Sequence, residues 1–271
     1  MFGSRRTWRA AALDAGRLPL VGAVVEAAYG RYFEDASGPQ TRLFRGTFPD
    51  FASAQAAIPP GWNAGYDNDP SASRNVNEWL VVYPSDYPVM FWLARLLPEC
   101  GTLFDWGGNV GLKYFTYRKY LTYPEPFRWI VGEVPSVAEL GRATAAREGA
   151  RNLFFTSALD EIAGADVLLA AGSLHYIDDP LGALRALPKL PDHFIVNKVP
   201  AHNAPSVWTL NNMGTAMCPY RLFNRAEFLD EIRGFGYRLV DAWESPDVRC
   251  ELPFHPEYRI EAYSGFYFSK N

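Results

Sequence analysis

The chain has 271 residues, of which 48% are hydrophobic and 21% charged. This is enough for one core of ordinary size and too little for two full enzyme domains. Disorder is excluded, because low hydrophobicity and a large net charge are both absent. A formal charge of −4 disfavours a general nucleic-acid binder, which normally carries a basic face. The three separated cysteines, Cys100, Cys218 and Cys250, indicate reduced thiols and a cytoplasmic protein, without a disulfide framework or zinc cluster.

The N-terminal segment has some features of a secretion signal, because Arg5 and Arg6 precede an apolar run at 18–25. Asp14 and Arg17 interrupt this stretch, which argues against a secretion signal. No segment reaches the roughly 18 apolar residues that a membrane-spanning helix requires. We therefore expect an amphipathic first helix and no integral membrane segment.

Residues 1–100 are rich in aromatic side chains and irregular in pattern. One helix is clear near the end of this region, where Asp86 is a plausible N-cap and Pro98 ends the pattern. The apolar residues at helical spacing are Val89, Trp92, Leu93 and Leu96. We predict that residues 1–100 form a mainly helical cap that contributes to substrate binding.

From residue 101 onward, short apolar strands alternate with helices. Strands are predicted at 103–106, 129–131, 153–155, 167–171, 194–196, 237–243 and 262–268. Helices are predicted to begin near Val110, at Pro135, at Pro180 behind the N-cap Asp179, and behind Asn224, which forms a capping box with Glu227. Residues 200–223 are predicted to be a loop. This pattern predicts an α/β fold for residues 101–271, with a Rossmann-like, seven-stranded, mostly parallel sheet and helices on both faces.

A glycine-rich turn follows the first of these strands. It contains Asp105, Gly107, Gly108, Asn109 and Gly111. Glycines let the backbone turn sharply and let a ligand approach without meeting a Cβ atom. Asp105 would repel a pyrophosphate but favour the cationic part of S-adenosylmethionine. An acid that caps a tight turn is the alternative.

Three other strand ends carry candidate cofactor-binding residues. Glu133 can accept hydrogen bonds from ribose hydroxyls, and Ser157 and Ala158 would lie against the adenine. Ala171, Gly172 and Ser173 would line the sulfonium end of the donor. These assignments follow from the rule that open α/β sheets bind ligands at the carboxyl ends of their strands.

Three segments together make the sequence similar to a known family. They are residues 103–111, 129–135 and 172–177, with further likeness in residues 44–48, 65–67, 218–221 and 236–237. They resemble a bacterial family of methyltransferases, labelled the LIC12133 type, within the class I S-adenosylmethionine-dependent superfamily. The resemblance implies methyl transfer that yields S-adenosylhomocysteine, and an acceptor in surface-glycan or secondary-metabolite biosynthesis. His175 departs from the pattern, since an amide side chain is expected there.

A hydroxyl acceptor gains from a base that removes its proton. His175 is our first candidate and His202 the second, because neutral imidazole is suited to this role near pH 7; a structural histidine is the alternative. The predicted acceptor-binding residues are Tyr176, Lys198, Asn211, Tyr220 and Arg221. Arg221 would suit a carboxylate or phosphate, unless it forms a salt bridge that fixes its loop.

The favoured function is therefore methylation, most simply of an oxygen on a small molecule. An NAD(P)-dependent oxidoreductase or epimerase is the first alternative, disfavoured by Asp105 and by the lack of a Tyr-x-x-x-Lys pair. A non-catalytic nucleoside-binding assembly partner is the second. Four scattered histidines lack the spacing of metal ligands, so we expect no metal. The sequence leaves the acceptor and the choice between monomer and homodimer open.

Overall fold

The computed structural model describes residues 19–35, 43–65 and 81–270. Its helices are α1 (Pro19–Glu34), α2 (Phe51–Ala56), α3 (Asp86–Leu96), α4 (Leu112–Tyr117), α5 (Pro135–Arg147), α6 (Pro180–Arg185) and α7 (Arg225–Gly234). Its strands are β1 (Leu43–Phe48), β2 (Thr102–Trp106), β3 (Arg128–Gly132), β4 (Leu153–Thr156), β5 (Val167–Ala171), β6 (His193–Val199), β7 (Ala201–His202), β8 (Val207–Asn212), β9 (Met217–Asn224), β10 (Arg238–Ser245) and β11 (Tyr263–Ser269). The predictions that involve Arg5, Arg6, Asp14, Arg17, Tyr66 and Asp67 lie outside the described residues.

Seven strands form one sheet in the order β10-β11-β6-β5-β2-β3-β4. Strand β11 runs antiparallel to both of its neighbours, and the other neighbouring pairs are parallel. The chain builds outward from β2 to β3 and β4, and then returns to the other side of β2 with β5 and β6. The strand order therefore reverses between β2 and β5. This confirms the predicted seven-stranded, mostly parallel sheet.

Consecutive residues of the central strands point to opposite faces of this sheet, and each face is covered by helices. Phe104 packs in the core beneath α6 and α7, which contribute residues such as Leu184 and Phe228. Its neighbour Leu103 packs in the other core, beneath α3, α4 and α5. The prediction of helices on both faces is confirmed.

Helix boundaries differ from the predicted ones at two places. Helix α4 ends at Tyr117, where the predicted helix continued to Leu121. The N-cap of α3 is Ser85, so the assignment of Asp86 was wrong. Asp86 is the first helical residue, and its carboxylate turns back to accept the Tyr83 amide hydrogen at 3.0 Å.

Both predicted N-caps further along the chain are confirmed. Asp179 accepts from the Gly182 amide, and Asn224 accepts from the Glu227 amide. The capping box is closed through a third residue, because the Asn224 amide donates to the Ser206 hydroxyl and that hydroxyl donates to Glu227. A predicted local motif thus depends on a residue eighteen positions earlier in the chain.

A second sheet, which the sequence analysis did not predict, has the order β1-β8-β9-β7. The prediction of a loop at 200–223 was wrong, because β7, β8 and β9 occupy most of it. All six residues of β8 are buried, so this strand has no alternation of polar and apolar residues to mark it. Strand β1 pairs antiparallel with β8, with Leu43 opposite Asn212 and Arg45 opposite Leu210.

Each face of the second sheet has its own cover. On one face, Tyr29 and Phe33 of α1 pack with Trp208 of β8 and Met217 of β9. On the other, residues 248–263 pack against β1, β8 and β9. The predicted N-terminal helical cap is not confirmed, since the described part of residues 1–100 supplies a strand of this sheet as well as helices.

Candidate active site

A cavity of about 650 Å³ lies at the carboxyl ends of β2, β3, β4 and β5, where the strand order reverses. The predicted site residues that line it are Gly107, Asn109, Glu133, Ser157, Ala158, Ala171, Gly172, Ser173 and Tyr176. Further lining residues that the sequence analysis did not name include Phe51, Trp106 and Pro219. The structure therefore brings the ends of four strands and part of the second sheet around one space.

The turn between β2 and α4 adopts a backbone that few residues tolerate. The φ angle is 75° at Gly107, 55° at Asn109 and 87° at Gly111, all in the left-handed region. A Cβ atom on Gly107 would also lie 2.3 Å from the Cβ atom of Ser173. Glycine at position 107 is thus required by both conformation and packing.

Five amide hydrogens of this turn are donated to acceptors inside the protein. The bonds, at 2.8–3.2 Å, are Gly107 to Gly132 O, Asn109 to Glu133 Oε1, Val110 to Asn109 Oδ1, and both Gly111 and Leu112 to Gly108 O. A turn that binds phosphate points such hydrogens at the anion instead. The hydrogen bonding of this turn is therefore unlike that of a pyrophosphate site.

Asp105 lies beneath the turn and is not among the residues that line the cavity. It is 1% exposed, and its Oδ2 accepts the Trp129 Nε1 hydrogen at 3.1 Å. A Cβ atom on Gly108 would stand 2.3 Å from the same Oδ2. Burial raises the pKa of Asp105 to about 7, against the lowering effects of Trp129 and Lys113. Asp105, Gly108 and Gly111 thus shape the turn from below.

Glu133 is half-buried at the end of β3 and lines the cavity. Its Oε1 accepts the Asn109 amide hydrogen at 2.9 Å, and its Oε2 accepts the Val134 amide hydrogen at 3.1 Å. Each carboxylate oxygen has a second lone pair with which it can accept another hydrogen bond. Among the described residues, no Lys, Arg or His lines this cavity, so Glu133 makes its wall negative.

Part of the cavity wall lies on or beside the second sheet, and we call it the second-sheet end. It consists of Phe51, Gly65, Tyr176, Cys218 and Pro219. The Tyr176 hydroxyl donates to Asn211 Oδ1 at 3.1 Å, and Asn211 lies opposite Cys218 in the register of β8 and β9. The structure therefore brings Asn211, a predicted acceptor-binding residue, behind the wall.

His175 and Tyr220, two further predicted site residues, lie beside Tyr176 but do not line the cavity. The His175 ring is 4% exposed, and its centre is 4.5 Å from that of Tyr176 and 4.3 Å from that of Tyr220. The Tyr220 and Tyr263 hydroxyls are hydrogen-bonded at 2.7 Å. The imidazole thus packs in a cluster of tyrosines.

Three predicted residues lie away from the cavity wall. His202 lies in β7, where its Nδ1 accepts the Ala204 amide hydrogen and burial lowers its pKa. The Arg221 guanidinium lies over the rings of Trp208 and Phe223. Lys198 lies 3.6 Å from Asp247. Arg221 therefore has aromatic neighbours where a ligand carboxylate or phosphate was predicted.

Lys198 belongs to a buried polar cluster that the sequence analysis missed. Its central residue, Asp86, is fully buried and bonds the Lys113 ammonium at 2.7 Å and the Tyr117 hydroxyl at 2.9 Å. Burial alone would raise the pKa of Asp86, but Lys113, Lys198 and the Tyr83 amide together hold it below its ordinary value. No local pattern marks this cluster, because its members come from distant segments.

The described residues contain neither a metal-binding cluster nor a membrane-spanning helix. No group of His, Cys, Asp and Glu side chains is arranged to hold a metal ion. None of the described helices combines the length and the apolar character needed to cross a membrane.

No family model and no curated protein matches the chain, so the LIC12133-type family is not confirmed. Among solved structures, the chain resembles the 1,6-didemethyltoxoflavin-N1-methyltransferase of Burkholderia thailandensis, with 20% identity, a TM-score of 0.46, and coverage of 69% of this chain and 79% of that chain. It also resembles the CcbJ methyltransferase of Streptomyces caelestis, with 16% identity, a TM-score of 0.48, and coverage of 73% and 95%. With TM-scores below one half, these likenesses assign neither a family nor an activity.

Proposed function

We propose that this chain is an S-adenosylmethionine-dependent methyltransferase with a small-molecule acceptor. One observation carries the proposal: the cavity at the strand reversal is walled by Glu133, without a cationic side chain among its described residues, and five amides of its glycine turn already donate to acceptors inside the protein. A dinucleotide needs such amides for its pyrophosphate. A phosphate-free nucleoside with a positive charge suits this wall better.

The residues present fit such a cofactor. Glu133 would accept hydrogen bonds from the ribose hydroxyls, and Ser157 and Ala158 would border the adenine. Gly107, with Gly172 and Ser173, would border the amino acid portion. Bound there, S-adenosylmethionine supplies a methyl group activated by a sulfonium and becomes S-adenosylhomocysteine. A cavity of about 650 Å³ lies within the range of small-molecule sites.

The protein's own part in the reaction is to position the acceptor and exclude water, because the methyl group is already activated. The second-sheet end would hold the acceptor, and the Tyr176 hydroxyl would be its polar contact. His175 packs on Tyr176, which supports a positioning role over the predicted role as base. His202 is a weaker candidate for the base, and Lys198 is a weaker candidate for acceptor binding, because both bond to residues outside the cavity.

The finer predictions from the sequence are part of this proposal. They are methylation at oxygen, membership of the LIC12133-type family, a small-molecule or glycan-related acceptor in secondary-metabolite or surface-polysaccharide biosynthesis, and a cytoplasmic location. Identification of a methylated product would test the acceptor. If S-adenosylhomocysteine binds tightly but no acceptor pool is methylated, the result favours the alternative of a non-catalytic nucleoside-binding assembly partner.

Calorimetry with S-adenosylhomocysteine and NAD in parallel tests the proposal. We expect binding of S-adenosylhomocysteine and none of NAD. Glu133→Gln should weaken the binding about tenfold, because one acceptor of the carboxylate is lost. Glu139→Gln, which removes an exposed carboxylate of α5, is the matched control and should bind as the wild type does. Binding of NAD without S-adenosylhomocysteine would overturn the proposal.

A further inference from the structure

The direction of the hydrogen bond at Tyr176 is fixed by a chain of contacts that runs into the second sheet. Asn211 Nδ2 donates to the Leu43 carbonyl oxygen at 3.1 Å, and a carbonyl oxygen can only accept. The amide oxygen of Asn211 therefore faces Tyr176, and the Tyr176 hydroxyl must be the donor of the 3.1 Å bond between them. Asn211 is 1% exposed, so water does not compete for either contact.

The Tyr176 ring is held as firmly as its hydroxyl. The ring packs edge-on against Tyr220, with ring centres 5.0 Å apart and an interplanar angle of 89°. His175 packs against it at 4.5 Å, and the Tyr176 amide donates to the Ser173 carbonyl at 3.0 Å. The hydroxyl oxygen thus has a fixed position, and its hydrogen is directed at Asn211 and not at a ligand in the cavity.

The neighbouring side chains have also donated their polar hydrogens. The Ser173 hydroxyl donates to the Trp106 carbonyl oxygen. The Cys218 thiol points to the Met213 sulfur at 3.5 Å, and burial raises the pKa of this thiol to about 12. Pro219 has no amide hydrogen. Among the described residues, this end of the cavity can therefore accept hydrogen bonds from a ligand more readily than it can donate them.

We infer that the second-sheet end selects a neutral acceptor that presents an O–H or N–H group to Tyr176, and that it disfavours carboxylates and phosphates. An anion needs donors, and a buried anion without them is strongly destabilised. A protic group, in contrast, finds a lone pair at Tyr176 Oη and apolar surface at Phe51 and Pro219. Tyr176 is thus a specificity-determining residue. The inference rests on the proposed function only in treating this ligand as the methyl acceptor.

Three probes of similar size separate the alternatives: phenol, which donates a hydrogen bond; anisole, which only accepts; and benzoate, an anion. Ligand-observed NMR measures their affinities, with and without saturating S-adenosylhomocysteine. We expect phenol to bind about five- to tenfold more tightly than anisole, as one net hydrogen bond allows, and benzoate to bind most weakly. Equal binding of all three, binding of none, or a preference for benzoate would overturn the inference.

Tyr176→Phe should abolish the preference for phenol over anisole and leave the affinity for anisole unchanged. Tyr263→Phe is the matched control, because it removes a buried hydroxyl of the same tyrosine cluster that lies outside the cavity wall; it should keep the preference. If Tyr176→Phe does not fold, the ranking of the three probes by their affinity for the wild-type protein still tests the inference. Failure of S-adenosylhomocysteine to bind would refute the proposed function, whereas a wrong ranking of probes would refute only this inference.

Discussion

Asp86 and Asp105 are both buried carboxylates, but their surroundings differ in kind. Asp86, at the start of α3, contacts an ammonium, a tyrosine hydroxyl and an amide hydrogen. Asp105, at the end of β2, has one hydrogen bond, from Trp129, and its other oxygen is buried with no partner among the described residues. The pKa of Asp86 is accordingly lowered, whereas burial raises that of Asp105 to about 7.

The difference shows that burial alone does not decide whether a carboxylate stabilises or destabilises the folded protein. An acid whose folded pKa is lowered stabilises the protein above its unfolded pKa, and this stabilisation is lost as the pH falls. An acid whose folded pKa is raised has the opposite effect, because the folded state holds its proton more tightly. Asp86 therefore supports the fold at neutral pH, and Asp105 weakens it.

Lys113→Met should have the largest effect, because it leaves Asp86 buried without its ion-pair partner. We expect a loss of about 3–5 kcal/mol in the free energy of unfolding, measured by urea denaturation at pH 7. Lys119→Met, on the exposed side of the same segment, is the control and should stay within about 0.5 kcal/mol. Similar losses in the two variants would contradict the special role of the pair.

Asp105→Asn should change the dependence of stability on pH. The unfolded carboxyl loses its proton near pH 4 and the folded one near pH 7, so raising the pH favours the unfolded wild type in this interval. We expect wild-type stability relative to the variant to fall by about 1.4 kcal/mol per pH unit between pH 5 and 7, and to level off above. Urea denaturation at several pH values measures this.

Asp230→Asn is the control for that experiment, because Asp230 has a 70% exposed side chain. Its stability curve should run parallel to that of the wild type. Parallel curves for Asp105→Asn would show that Asp105 is ionised in the folded state at an ordinary pKa, and the contrast with Asp86 would fail.

Gly108→Ala tests how tightly Asp105 is packed beneath the turn. The added Cβ atom would stand 2.3 Å from Asp105 Oδ2, so we expect a loss of about 1–3 kcal/mol, as for other overpacked cores. Gly234→Ala, where a Cβ atom meets nothing within 4 Å, is the control. If both variants lose the same free energy of unfolding, measured by heat or urea, then the turn and the Asp105 carboxyl are not closely packed.

Lys198→Met should have the smallest effect. Its ammonium contributes to lowering the pKa of Asp86 from a distance and lies 3.6 Å from Asp247. We expect a loss of about 1 kcal/mol or less, close to that of an ordinary ion pair. The exposed Lys189→Met is the control. A loss as large as that of Lys113→Met, measured by the same urea denaturation, would mean that the two lysines share the support of Asp86 equally.

The seven-stranded sheet could be predicted from the sequence, because its strands are short apolar runs bounded by glycines and helix caps. Asp105 and Glu133 could be placed at strand ends for the same reason. The second sheet could not: β8 is buried throughout and includes Asn211 and Asn212, whose amides bond to Leu43 and Phe33 over more than a hundred and sixty residues. Such pairing leaves no periodic signal within the strand.

The candidate site likewise has residues that the sequence alone indicates and residues that only the fold brings together. The glycine turn and its flanking strand ends are encoded within short segments, so their residues were named in advance. The roles of Asp86 and Lys113, 27 residues apart, and of Cys218 and Pro219 depend on which segments meet in three dimensions. Cys218 and Pro219 lay in a segment already singled out by resemblance, so an expectation of strands there would have placed them.

The pairing of β1 with β8 has a consequence for the order in which the protein is made. Strand β1 is synthesised well before its partner β8, which begins at Val207. Closing so long a loop is slow. Until it closes, the unpaired edge of β1 can pair with other strands. In newly made chains, Leu43–Phe48 therefore lacks its sheet partner until Val207–Asn212 has been synthesised.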